Sequence, residues 1–166
     1  MVDRERRSPE DRLLAPDEWR RLRAARLEAL ADAPDVLLPG RPPESTWSEQ
    51  RWRLSWRAAR WAVAETGDET VGLARLSWTE TGAYIESVWT RRDHRQRGVA
   101  SAMVRRLITE HPADRGEIFV WVAQPNDAAM RLYTSLGFRS TKVTQWLAAL
   151  NRVEEQLRFN GGHPRD

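Results

Sequence analysis

Arg95-Gln96-Arg97-Gly98-Val99-Ala100 is the stretch on which the reading of this chain turns. It separates a strand-like run at 83–90 from an apolar-periodic run at 98–110, so it reads as a strand-to-helix turn. Such a turn points several backbone N–H groups at one spot, at the positive end of the helix dipole, and that geometry holds a pyrophosphate without any particular side chain. Gly98 lets a ligand approach the backbone, Ala100 keeps the helix start narrow, and Arg92, Arg95 and Arg97 surround the turn with positive charge. The stretch is neither the dinucleotide fingerprint Gly-x-Gly-x-x-Gly nor a Walker loop ending in Gly-Lys-Ser/Thr. On its own, a glycine-opened helix after an Arg-rich loop is as readily structural as functional.

The elements on either side define a fold. Downstream, Val99, Met103, Leu107 and Ile108 give the helix its apolar side, and Pro112 ends it. Residues 118–123 read as a buried strand. Pro125-Asn126-Asp127 opens another helix carrying Ala129, Met130, Tyr133 and Leu136, with Gly137 as its C′ residue. The strand–helix–strand order over 83–123 requires parallel strands and a right-handed crossover. Residues 139–144 and 153–159 complete the sheet as a final hairpin. Upstream, 61–64, 71–78 and 83–90 are strands joined by short Gly-containing turns and pair antiparallel. Before them, helices are expected at 16–31 and 48–60, separated by the Pro-rich loop of Pro34, Pro39, Pro42 and Pro43. The expected fold is α/β, a mixed sheet with helices on both faces. Residues 1–11 are expected as a loose tail and 12–166 as a single domain.

A second segment is linked to the first: Asn126-Asp127-Ala128-Ala129-Met130-Arg131-Leu132-Tyr133-Thr134-Ser135-Leu136-Gly137-Phe138. Together the two segments closely resemble the GNAT superfamily of N-acetyltransferases. Its pyrophosphate signature Arg/Gln-x-x-Gly-x-Gly/Ala is met by Arg95, Gly98 and Ala100, and its Asn, small residue, Leu-Tyr and Gly-Phe follow at the expected spacing. The strong part of the resemblance covers about residues 60–145. It implies a GNAT-like sheet splayed between the central parallel strands, with acetyl-CoA as co-substrate and no metal. Backbone groups of Val88, Trp89 and Thr90 would bind the pantetheine arm, and the Val88 N–H would polarise the thioester carbonyl. Amides of Arg95, Gln96, Arg97, Gly98, Val99, Ala100 and Ser101 would hold the pyrophosphate. Asn126 would contact the arm near its thiol, Ala129 would leave room for it, and Tyr133 would be the general acid. From the residues alone, Tyr133 also reads as a core aromatic on a helix face.

The acceptor amine must be neutral to attack. At pH 7 this costs about 4–5 kcal/mol for a lysine-like amine and roughly 1–2 kcal/mol for an α-amine. Glu86 is the candidate base, two residues before Val88 and so expected on the same strand face. It reads equally as a solvated or Arg-paired strand residue. The parallel strand offers only Trp121 and Val122 where some relatives carry an acid. The expected reaction is acetyl transfer to a primary amine, on a small molecule or a protein, by direct attack in a ternary complex. The alternative is a non-catalytic acyl-CoA-binding module of the same fold. A homodimer is a habit of the family that no residue here specifies.

Composition narrows the setting. The chain has no cysteine, hence neither a disulfide framework nor a thiol to carry an acetyl-enzyme. It has no apolar run of membrane-spanning length, and its first residues are charged, so a cytoplasmic protein without membrane contact is expected. Lys142 is the only lysine among 27 basic residues, and the net charge is +3. The basic residues form no block that would call for nucleic acid. Arg20, Arg21, Arg23 and Arg26, like Arg51, Arg53, Arg57 and Arg60, read as solvated helix faces. Trp47, Trp52 and Trp56 fall where the family borders its acceptor site, although core and lid packing is the plainer reading. With Arg nearby they hint at a partly anionic or aromatic acceptor. Trp89 reads as packing beneath the cofactor arm and Trp146 as a border of the acceptor cleft. His94, His111 and His163 are too scattered for a metal site and read as exposed.

Overall fold

A strand begins where a tail was expected. The computed structural model describes residues 8–161. Within them Glu10–Leu13 (β1) pairs antiparallel with the second strand through Glu10↔Glu65 and Leu13↔Ala62. Glu10 and Asp11 therefore belong to the sheet, and residues 1–7 of the expected tail lie outside the described part.

The elements that follow are α1 (Trp19–Asp32), α2 (Glu49–Arg57), β2 (Ala59–Thr66), β3 (Glu69–Thr79), β4 (Gly82–Thr90) and α3 (Val99–Thr109). They continue with β5 (Ile118–Ala123), α4 (Asp127–Ser135), β6 (Phe138–Leu147) and β7 (Arg152–Phe159). The expected second helix stops short: Ala59 and Arg60 are already in β2, where Ala59 through Ala64 pair with β3. The seven strands form one sheet in the order β1-β2-β3-β4-β5-β7-β6. Every pair is antiparallel except β4–β5.

Two cores, one on each face, follow from strand alternation. In β2, Ala62 and Ala64 pack with Met103 and Leu107 of α3 and with Tyr133 and Leu136 near the end of α4. Trp61 and Val63 pack instead with Trp19, Leu22, Ala25 and Ala29 of α1 and with Trp52 of α2. Helices thus cover both faces, as expected. Gly72 of β3 permits the close seating of α3, because a Cβ there would sit 2.8 Å from the Met103 methyl and 3.1 Å from Val99.

The parallel pair is short. β4 meets β5 only at Ala83↔Ile118 and Tyr84↔Phe119, and β5 then turns to β7 through residues 119–123. Residues 85–90 of β4 are laddered to β3 alone. That remaining ladder is itself interrupted, since its register shifts between Leu73↔Trp89 and Arg75↔Glu86. Ser87 and Val88 together face Ala74, and Ser87 takes the left-handed conformation at φ 54°.

Candidate active site

The loop 95–98 is built from two left-handed residues, Gln96 at φ 59° and Gly98 at φ 77°. Gly98 is the N-cap residue of α3 and offers no side chain to the helix start. Among the described residues nothing accepts from the N–H groups of Gly98, Val99, Ala100 or Ser101, the first of this helix's bonds being Ala102 N–H to Gly98 C=O at 3.0 Å. By contrast α2 is capped by Ser48 and α4 by Asn126. A Cβ placed on Gly98 would meet no atom within 4 Å outside its chain neighbours, so the space beside the Gly98 backbone is open. Uncapped N–H groups at the positive end of a helix dipole are of the kind that attract anions.

The arginines divide. Arg92 and Arg97 are exposed, and no described residue pairs with either side chain. The Arg95 side chain is engaged: Nη2 donates to Asp32 Oδ2 at 2.7 Å and Nε to the Thr90 carbonyl at 2.9 Å. The charge expected from Arg95 is therefore neutralised by Asp32, and the Thr90 carbonyl already has a partner. Trp89 is buried, and its Nε1–H also donates to Asp32 Oδ2, at 2.9 Å.

On the face of α3 and α4, Val88 and Ala129 pack against the core cluster that contains Tyr133. Asn126 stands at the entry to α4, three residues beyond the end of β5. Its Oδ1 accepts from Ala129 N–H at 3.0 Å, so it caps α4 besides any contact it makes to a ligand. Tyr133 is buried and meets Phe138 edge-on, with ring centroids 5.4 Å apart. Desolvation pushes its phenol above the ordinary tyrosine range, which keeps the O–H protonated. No described residue accepts its proton.

Glu86 corrects the expectation of a shared face. The bulge at Ser87 changes the alternation, so Val88 packs with the α3 side while Glu86 stands opposite Arg75 on the other. Arg75 lies over the Trp61 ring at 5.4 Å, which identifies that side as the α1–α2 face. Glu86 Oε2 accepts from Ser77 Oγ at 2.8 Å and lies 3.4 Å from Arg75 Nη1, with its side chain 46% exposed. Its neighbours on this face are aromatic: Tyr84 stacks on Phe119 at 5.5 Å, and Trp121 follows two residues on.

Other expectations are revised by burial. Arg26, read as solvated, is buried against Glu44, with Nε–Oε1 at 3.1 Å and Nη2–Oε1 at 3.0 Å. Its Nη1 donates to Ser87 Oγ at 3.2 Å. Trp47, Trp52 and Trp56 belong to the α1–α2 core, with Trp52 wholly buried, and Arg51 and Arg53 lie over Trp47 and Trp19. The plainer reading of these tryptophans, core and lid packing, is the one their contacts support. Trp146 is 60% exposed on β6. His111 is buried, accepting from Trp78 Nε1 at 3.3 Å and donating to the Gly116 carbonyl at 2.9 Å. His94 is bonded to Asp93, and His163 lies outside the described residues. Among the described residues no group of His, Asp and Glu clusters as metal ligands would, and no helix is long and apolar enough to cross a membrane. A cavity of about 660 Å³ runs along α1 beside Arg21, Glu28 and Glu69 and includes none of the expected site residues.

Sequence reading missed Asp32, Glu44 and Ser87, and took Arg26 for surface. None stands in a motif; only the meeting of distant segments marks them.

Solved structures share this fold. An N-acetyltransferase from Staphylococcus aureus superposes with a TM-score of 0.68 at 14% identity, covering 91% of this chain and 97% of its own. The ribosomal-protein-S18-alanine N-acetyltransferase of Escherichia coli gives 0.64 at 15% identity, covering 95% and 99%. An acetyltransferase of Bacillus anthracis, solved in complex with acetyl coenzyme A, gives 0.54 at 18% identity over 63% and 64%. No curated protein matches the sequence. The profile of the acetyltransferase (GNAT) family matches residues 19–138, and the chain belongs to that family.

Proposed function

We propose that this protein transfers an acetyl group from acetyl-CoA to a primary amine by direct attack in a ternary complex. The observation that carries the reading is the conjunction of an uncapped α3 behind a left-handed Gln96–Gly98 turn with a β4 edge that β5 has left. The first suits a pyrophosphate and the second an extended amide-bearing arm, so the two together fit the pantetheine phosphate chain of CoA.

The roles follow from placement. The amides of residues 96–101 hold the pyrophosphate. The free edge at Val88, Trp89 and Thr90 receives the arm, Thr90 with its carbonyl already partnered by Arg95, and Asn126 and Ala129 border it from α4. The Val88 N–H takes the thioester oxygen as it gains negative charge. The amine nitrogen attacks the carbonyl carbon, the C–S bond breaks, and Tyr133 O–H donates to the departing thiolate. Glu86, on the opposite face, receives the amine proton directly or through water. Val88 and Glu86 thus serve donor and acceptor from two sides of one strand.

The acceptor is an amine on a small molecule or a protein. A second reading, an acyl-CoA-binding module without catalysis, is favoured by one observation: Glu86 is engaged with Arg75 and Ser77. Calorimetric titration with acetyl-CoA and CoA, repeated on Gly98→Trp, tests cofactor binding; no binding by the unsubstituted protein would overturn both readings. Turnover on a panel of amines, with Tyr133→Phe as control, separates them, since a binding module turns over none.

A further inference from the structure

Most of β4 lacks the support a central strand ordinarily has. Residues 85–90 have no ladder to β5, and their ladder to β3 is broken opposite Ala74. A strand segment so held is free to shift, yet this is the segment that must meet the donor thioester to within hydrogen-bond tolerance.

The support comes from α1. Arg26 reaches Ser87 at the bulge (3.2 Å), Asp32 reaches Trp89 (2.9 Å), and Glu28 reaches Arg91 just beyond the strand (2.8 and 3.1 Å). The same Asp32 oxygen reaches Arg95 (2.7 Å), and Arg95 Nε returns to the Thr90 carbonyl (2.9 Å). Asp32 therefore ties three things together: the end of the helix, the end of the strand and the first residue of the pyrophosphate loop. The Arg26 contact is equally fixed, because its other donors are held by Glu44 and the Leu38 carbonyl.

We propose that α1 is the positioning element of the donor site, with Asp32 setting the pyrophosphate loop through Arg95 and Arg26 setting the Val88 region through Ser87. The proposal rests on the CoA reading above. Neither side chain touches the cofactor in this scheme; each acts through the residue it holds. The two contacts lie at different points along the arm, so their loss has different signatures.

Asp32→Asn and Arg95→Gln, singly and together, are titrated calorimetrically with CoA, and with pantetheine by NMR. Each single substitution is expected to weaken CoA about tenfold, the scale of one charge-assisted bond, and to weaken pantetheine less. The double variant is expected to lose less than the sum of the singles, because the Asp32–Arg95 pair is common to both, while Asp32 also serves Trp89 and Arg95 the Thr90 carbonyl. Ser87→Ala leaves the Arg26–Glu44 pair intact. It is expected to retain CoA affinity while lowering kcat about fivefold, by loosening the Val88 region. Thermal midpoints close to that of the unsubstituted protein show that the substituted chains fold. Unchanged CoA affinity in Asp32→Asn, additive losses in the double variant, or equal weakening of pantetheine would overturn the proposal while the CoA reading stands. Failure of the unsubstituted protein to bind CoA would overturn that reading and this one with it.

Discussion

Glu86 and Val88, two positions apart in β4, face opposite sides of the sheet, because Ser87 between them is bulged at φ 54°. An unbroken strand would place both on one face. The bulge instead gives Val88 to the α3–α4 face, whose core contains Tyr133, and leaves Glu86 on the α1–α2 face beside Tyr84. A donor and an acceptor entering from opposite faces would meet at the strand edge, each with its own proton-transfer group.

Glu86→Gln is therefore expected to lower kcat on a lysine-like amine about a hundredfold, within the usual range for a lost general base. An α-amine, whose pKa near 8 makes its proton easier to lose, is expected to lose less. Acetyl-CoA affinity should be unchanged, because Glu86 does not face the donor side. Steady-state kinetics on the two amine classes checks this; equal losses would remove Glu86 from the base role.

Tyr133→Phe is expected to lower kcat about tenfold to a hundredfold with little change in acetyl-CoA affinity. Burial raises the Tyr133 pKa, so the phenol stays protonated and no loss of this acid should bend the rate profile between about pH 6 and 9. A raised folded pKa means the neutral phenol is favoured by the fold, so its contribution is intact below about pH 10 and is lost as pH rises toward the shifted value. Urea midpoints across alkaline pH should fall for the native chain and fall less steeply for Tyr133→Phe.

The legible part of the molecule was the part written locally. Gly98 and Gly137 were read as a helix entry and a C′ residue, and both stand at positive φ in those places. The apolar spacing of Val99, Met103, Leu107 and Ile108 gave α3 its buried side. β1 was not legible, since Glu-Asp-Arg-Leu has no strand alternation and is held by its ladder to β2. Arg26 reads as solvent-facing until Glu44, 18 residues on, folds over it. The Ser87 bulge has no sequence signal, and the face assigned to Glu86 was wrong for that reason alone.

Gly98→Ala separates backbone strain from ligand contact. A Cβ there meets nothing in the protein within 4 Å, so the fold should lose only the left-handed penalty of about 1 kcal/mol. With the pyrophosphate seated against the Gly98 backbone, as proposed, the added methyl would crowd it, and CoA affinity should fall more than tenfold, well beyond the effect of that strain. Denaturant midpoints and calorimetry on the same protein check the two numbers; a small loss of affinity would place the pyrophosphate elsewhere.

Arg26→Met is expected to cost about 3–5 kcal/mol, because it strands the Glu44 carboxylate in a buried place. Glu44 also accepts from the Gly40 N–H through Oε2, at 2.7 Å, so a partner change must leave that acceptor in place. Gln at 44 does so without a charge. The double variant Arg26→Met, Glu44→Gln is therefore expected to recover more than half of the lost stability, the remainder being the Leu38 carbonyl and Ser87 hydroxyl that Arg26 no longer serves. Urea denaturation of the two single variants and the double measures the coupling. Additive losses would mean that the cost lies in packing around the Arg26 stem rather than in the stranded charge.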